Sequence, residues 1–135
     1  MRHQSMETIM KCAVAVLLLV ATVGPAAADA VPMVKNGKFI MQDGEAIFKN
    51  VCQGCHMPDA KGAVGAGAYP ALAGNAKLEE AGYPVAIVVH GQKGMPPFGP
   101  FLSDDQVAAV VNYVRSHFGN HYSGKVTAAD VKLQR

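Results

Sequence analysis

Three side chains within five positions, Cys52, Cys55 and His56 of Cys52-Gln53-Gly54-Cys55-His56, have the types and order to hold a prosthetic group. Two thiols three residues apart can add to the two vinyl groups on neighbouring sides of a porphyrin. The imidazole directly after the second thiol is then held under the ring with a nitrogen pointing at iron, so C-x-x-C-H is the pattern of covalent haem c attachment. A redox dithiol and half of a structural zinc site use the same cysteine spacing. The first belongs in a βαβ context and the second needs another pair of ligands at suitable spacing; the sequence offers neither. The motif therefore predicts one haem c, bound through Cys52 and Cys55 with His56 on the iron.

Two further strings accompany the motif, Tyr69-Pro70-Ala71-Leu72-Ala73-Gly74-Asn75 and Gly94-Met95-Pro96-Pro97-Phe98. Together the three make the chain resemble a bacterial class I cytochrome c, in which a single haem lies between the attachment motif and a later Met loop. The resemblance covers residues 43–118. A second axial ligand must come from elsewhere in the chain, and beyond the first thirty residues Met33, Met41, Met57 and Met95 are the thioethers available. Met57 is too close to His56 to cross the ring, and Met33 and Met41 precede the first helix. Met95 lies beyond a helix and can return over the opposite face, giving the standard His-Met pair. Pro96 biases Met95 towards extended backbone and Pro97 stiffens the segment further. His90, His117 and His121 are the rival ligands. The resemblance also implies that the Pro70 carbonyl accepts from the second nitrogen of His56 and that Leu72 packs on the haem edge.

These residues need elements to position them. Asp43 can cap a first helix carrying Ile47, Phe48 and Val51, and residues 59–74, with Gly62, Gly65 and Gly67, read as loop. Lys77 to Ala81 can form a short helix closed by Gly82. Pro84 then suits the first position of another, through Val85 to Val89, although that β-branched run also fits a strand. Ser103-Asp104-Asp105-Gln106 is a capping box, followed by Val107, Val110, Val111, Val114 and Phe118 at helical spacing. No hairpin pattern stands out. The expected class is all-α, three to four helices with long loops wrapped around one covalent haem, and Gly44, Phe48 and Tyr113 fall where class I cytochromes cross their terminal helices.

The 135 residues suffice for a single domain. Arg2 and Lys11 precede an apolar stretch from Ala13 to Val23 and then Ala26-Ala27-Ala28, which is the pattern of an export signal. The expected organisation is a cleaved signal peptide at 1–28, an extended lead-in at 29–42, the cytochrome domain at 43–118 and a C-terminal extension at 119–135. Without the leader, ten basic and nine acidic side chains remain, the basic ones scattered singly among the acidic, so no nucleic-acid footprint is present. Neither a Ser-His-Asp group nor a carboxylate pair stands out, which points away from an enzyme. Val126-Thr127-Ala128-Ala129-Asp130-Val131 resembles the end of cytochrome domains that serve membrane-bound sugar and alcohol dehydrogenases. The resemblance thus implies a periplasmic electron carrier with redox protein partners, a dehydrogenase as donor and a respiratory-chain acceptor, meeting the membrane only through partner complexes. The alternative is a haem protein with an open sixth position, acting as peroxidase or gas-ligand sensor.

Overall fold

Ser103 and Gln106 form the expected capping box, and they start the longest helix of the domain. This computed structural model describes residues 33–65 and 67–135; the expected signal peptide lies outside the described residues. In chain order the elements are β1 (Val34–Lys35), β2 (Lys38–Phe39), α1 (Gly44–Ile47), a π-helical turn (Phe48–Cys52), α2 (Gln53–His56), β3 (Ala63–Val64), β4 (Ala68–Tyr69), a 3-10 turn (Ala76–Leu78), α3 (Gly82–His90), α4 (Asp104–Ser116) and α5 (Ala128–Lys132). The fold is mostly helical with some short strands.

Helix α4 buries Val107, Val110, Val111 and Val114, a stripe at i, i+3, i+4 and i+7 that faces the core. Helix α1 crosses it at Gly44, where a Cβ would run into the carbonyl oxygen of Ala109 and lie 2.8 Å from Tyr113 Cβ. The missing side chain lets the backbones approach closely. Just beyond, the Phe48 ring sits 5.8 Å from Tyr113 and 4.8 Å from Phe118, centroid to centroid. The run from Val85 to Val89 is helical, within α3, but the helix starts at Gly82, so Pro84 is its third residue. That position still belongs to the first turn, whose N–H groups have no intrahelical partner.

The expectation of no hairpins needs correction. Val34 pairs with Phe39 and Lys35 with Lys38 across Asn36-Gly37, and both turn residues have positive φ, 52° and 72°. Asn-Gly suits the type I′ turn, but strands of two residues are too short to leave a periodic trace. A second ladder pairs Ala63 with Tyr69 and Val64 with Ala68. The lead-in is therefore structured from its hairpin onward. Gln106, 2% exposed, binds it to α4 by donating through Nε2 to the carbonyls of Phe39 (2.8 Å) and Met41 (2.6 Å).

Residues 119–135 also belong to the packed domain. Val126 and Val131 are buried in the core, and Asn112 exchanges two hydrogen bonds with the backbone of Val126. Arg115, 3% exposed, donates to the carbonyls of Leu78, Glu79, Ser123 and Gly124, joining α4 to both the 3-10 turn and the chain before α5. None of the described helices is long and apolar enough to cross a membrane.

Replacing Gly44 by Ala is expected to lower stability by about 1–3 kcal/mol, the usual cost of overpacking a close contact. Chemical denaturation of wild type and variant measures this directly. Equal midpoints would show that the crossing tolerates a methyl group.

Candidate functional site

The attachment motif begins where the first helical segment changes its winding. The π turn carries one extra residue per turn, with Gln53 N–H donating to Phe48 O, and it ends on Cys52. Phe48 can thus stay in the core while Cys52 is half-buried and Cys55 exposed, both as free thiols. Burial, followed by the nearby Cys55, pushes the Cys52 thiol up to about 12. Among the described residues, no group of three or more His, Cys, Asp or Glu side chains converges as a metal cage would require.

His56 ends α2 and is 7% exposed. Its Nδ1 lies 2.9 Å from the carbonyl oxygen of Pro70. A carbonyl can only accept, so Nδ1 carries the hydrogen and Nε2 of the neutral ring keeps its lone pair. That tautomer is the one a metal-binding imidazole needs, and the bond to the carbonyl both aims the ring and raises its basicity. The donor set of two free thiols and one oriented imidazole on consecutive helical turns fits covalent haem.

A series of backbone bonds brings Pro70 to His56. Met57 and Ala60 adopt positive φ, 65° and 57°, so the chain turns sharply after the motif. Gly62 N–H then donates back to His56 O at 3.0 Å. A Cβ on Gly62 would collide with the Tyr69 carbonyl, and its φ of +67° suits glycine as well. The carbonyl of Ala60 accepts from Leu72 N–H (2.7 Å) and Ala73 N–H (2.9 Å), which fixes the segment just after Pro70. Leu72 is half-buried and packs against the core cluster.

Asn120 falls in the expected C-terminal extension and is not among the expected site residues. Only 1% exposed, it donates to Leu72 O (2.8 Å) and Val114 O (2.7 Å) and accepts from Asn75 N–H (3.0 Å). One side chain thereby ties the Pro70–Asn75 loop to the end of α4. The only sequence signal is an Asn after Gly119, which reads more readily as a helix stop.

Met95 is half-buried in a tight loop between α3 and α4. Its N–H and C=O exchange hydrogen bonds with Gln92 at 2.9 and 3.0 Å. Gly91, at φ +73°, allows this close return, since a Cβ there would meet the backbones of Met95, Pro96 and Pro97. Phe98 N–H and Gly99 N–H bond the carbonyls of Val88 and Val89, which the end of α3 would otherwise leave without partners. Of the rival histidines, His90 contacts the Gln134 carbonyl, His117 stacks on Tyr113 with Nδ1 2.9 Å from Tyr113 O, and His121 is exposed.

A mostly helical domain with this donor set has the make-up of a c-type cytochrome. The family model described as cytochrome c oxidase, cbb3-type, subunit III matches residues 40–114, and the chain belongs to that family. It is also 37% identical to the fructose dehydrogenase cytochrome subunit of Gluconobacter japonicus, over 69% of this chain and 22% of that protein. It is 33% identical to the cytochrome c subunit of the quinone alcohol dehydrogenase of Gluconacetobacter polyoxogenes, over 76% and 24%. With the gluconate 2-dehydrogenase cytochrome c subunit of Pantoea cypripedii it shares 32% identity, over 70% and 24%. The chain thus spans less than a quarter of the length of these curated relatives.

Truncating Asn120 to Ala should cost about 2–4 kcal/mol, because buried carbonyls of Leu72 and Val114 and the N–H of Asn75 lose their partner. Denaturation together with amide exchange through residues 71–75 checks this. Unchanged exchange there would show that the loop is held without Asn120.

Proposed function

We propose that this chain is a periplasmic, single-haem electron carrier of the class I type, moving one electron at a time from a dehydrogenase towards the respiratory chain. The hydrogen bond from His56 Nδ1 to Pro70 O carries this reading, because it orients a neutral imidazole for a metal next to two attachment thiols. Bound haem supplies a one-electron Fe(III)/Fe(II) couple. The chain's residues would hold that group: Cys52 and Cys55 would anchor it, His56 Nε2 and Met95 Sδ would ligate the iron, and Leu72 would shield its edge. Met95, a soft thioether donor, favours Fe(II) and so raises the potential relative to harder ligands. Its tight loop suits a closed sixth position, and hence electron transfer over peroxidase or gas-sensing chemistry. No side chain is assigned a catalytic role.

The partner assignment rests on the relatives, whose names are those of dehydrogenase cytochrome subunits. Residues 1–28 would direct export and be removed after Ala28, and the domain would meet the membrane only through partner complexes.

Protein matured in a host with haem-attachment machinery should keep its haem stain on a denaturing gel, with an intact mass of a chain starting at Asp29 plus one haem. Stain lost on denaturation would refute covalent attachment, and a product retaining residues 1–28 would show an anchor in place of a leader.

Met95→Ala should lower the midpoint potential, let the reduced protein bind CO and leave haem attachment intact. The truncation itself should cost about 2–5 kcal/mol of stability. Titration and CO binding of both proteins side by side decide the point. Ready CO binding by wild type, with no shift of potential in the variant, would favour the open-site reading instead.

A further inference from the structure

The last two residues of the chain, just past the end turn of α5, reach across to the Met95 loop. Arg135 donates through Nη1 to Gly99 O (2.7 Å) and through Nη2 to Leu102 O (2.8 Å), and its Nε contacts the Asp104 carboxylate. The carbonyl of Gln134 meets His90 Nε2. His90 is the last residue of α3 before the loop, and Gly99 is the first after Phe98. A shallow cleft brings Arg135 beside Pro97 as well as His90 and Gly99. Both ends of the segment that presents Met95 are therefore held by consecutive residues of another part of the chain.

That grip has a rigid base. Thr127 and Asp130 cap α5 reciprocally, Val131 is completely buried, and Gln134 N–H returns to Val131 O at 3.0 Å. A planar guanidinium with three nitrogens engaged loses little freedom per bond, which suits it to fixing a loop. Gly99 adds a steric reason: a Cβ there would lie 2.8 Å from Val89 O and 3.2 Å from Arg135 Nη1, so α3, loop and arginine are in close contact.

We propose that Gln134 and Arg135 act as positioning residues that clamp the loop from Gly91 to Gly99 and so hold Met95 in its ligating place. The hydrogen bonds of Gln134 and Arg135 make the clamp; its effect on ligation rests on the reading of Met95 as axial ligand. Within this arrangement, residues 119–135 set how often the sixth position opens.

The test uses haem-loaded mature protein as wild type, Arg135→Ala, Arg135→Lys, Met95→Ala and Gly44→Ala, the last as a control destabilised away from the loop. Amide exchange at Phe98 and Gly99 reports the clamp, and the association rate of added imidazole with the oxidised protein reports release of Met95. Arg135→Ala should speed both by at least about tenfold, the factor expected for losing hydrogen bonds from a charged donor. Arg135→Lys should fall between, and Gly44→Ala should leave imidazole entry unchanged. Exchange at Phe98 and Gly99 no faster in Arg135→Ala than in wild type would overturn the clamp. Faster exchange with unchanged imidazole entry, while Met95→Ala admits imidazole quickly, would overturn its effect on ligation alone. If Met95→Ala and wild type admit imidazole equally fast, the ligand assignment fails, and the exchange data still decide the clamp. Equal gains in Gly44→Ala and Arg135→Ala would reduce the effect to general destabilisation and overturn the proposal.

Discussion

A histidine can serve as an axial ligand only if one ring nitrogen keeps its lone pair and points the right way. In the proposed site, the bond from His56 Nδ1 to the carbonyl of Pro70 would meet that requirement. Proline suits the place because it contributes an acceptor with no N–H beside it. Most of the loop structure serves to bring this carbonyl to the imidazole. The sharp turn at Met57 and Ala60, the tight passage at Gly62 and the double acceptance by Ala60 O all shorten the path between motif and loop.

A domain with so few helices must hold its long loops by other means, since apolar burial on α4 reaches only part of the chain. Three buried polar side chains on or beside α4 meet that need. Gln106 holds the N-terminal hairpin, Arg115 holds the 3-10 turn and the approach to α5, and Asn120 holds the Pro70 loop. Each donates to main-chain carbonyls of segments distant in sequence. In a dry interior such bonds matter mainly because leaving a carbonyl unpaired is costly. The helix therefore acts as a frame for loops as much as a core element.

Local signals are the ones legible in the sequence. The capping box at Ser103, the valine stripe of α4 and the close approach at Gly44 can be recognised from residue types and spacing, and the structure has all three. The motif marks the candidate attachment residues, but the resemblance, and not periodicity, singles out Pro70. The hidden part is long-range and polar. Asn120, Arg115 and Arg135 find their partners across dozens of residues, and a polar side chain shows no preference for burial until those carbonyls are placed around it. The β1–β2 hairpin is hidden for a different reason, because strands of two residues leave only their Asn-Gly turn to be read.

Whether a haem is held between an oriented His56 and Met95 can be read from the proton NMR spectrum of the reduced, haem-loaded protein. The Met95 methyl resonance is expected far upfield, displaced by the ring current of the porphyrin. The Nδ1–H of His56 is expected to exchange slowly, being bonded to Pro70 O. A Met95 methyl at an ordinary methionine position, together with a His56 N–H that exchanges like that of an exposed imidazole, would contradict that arrangement.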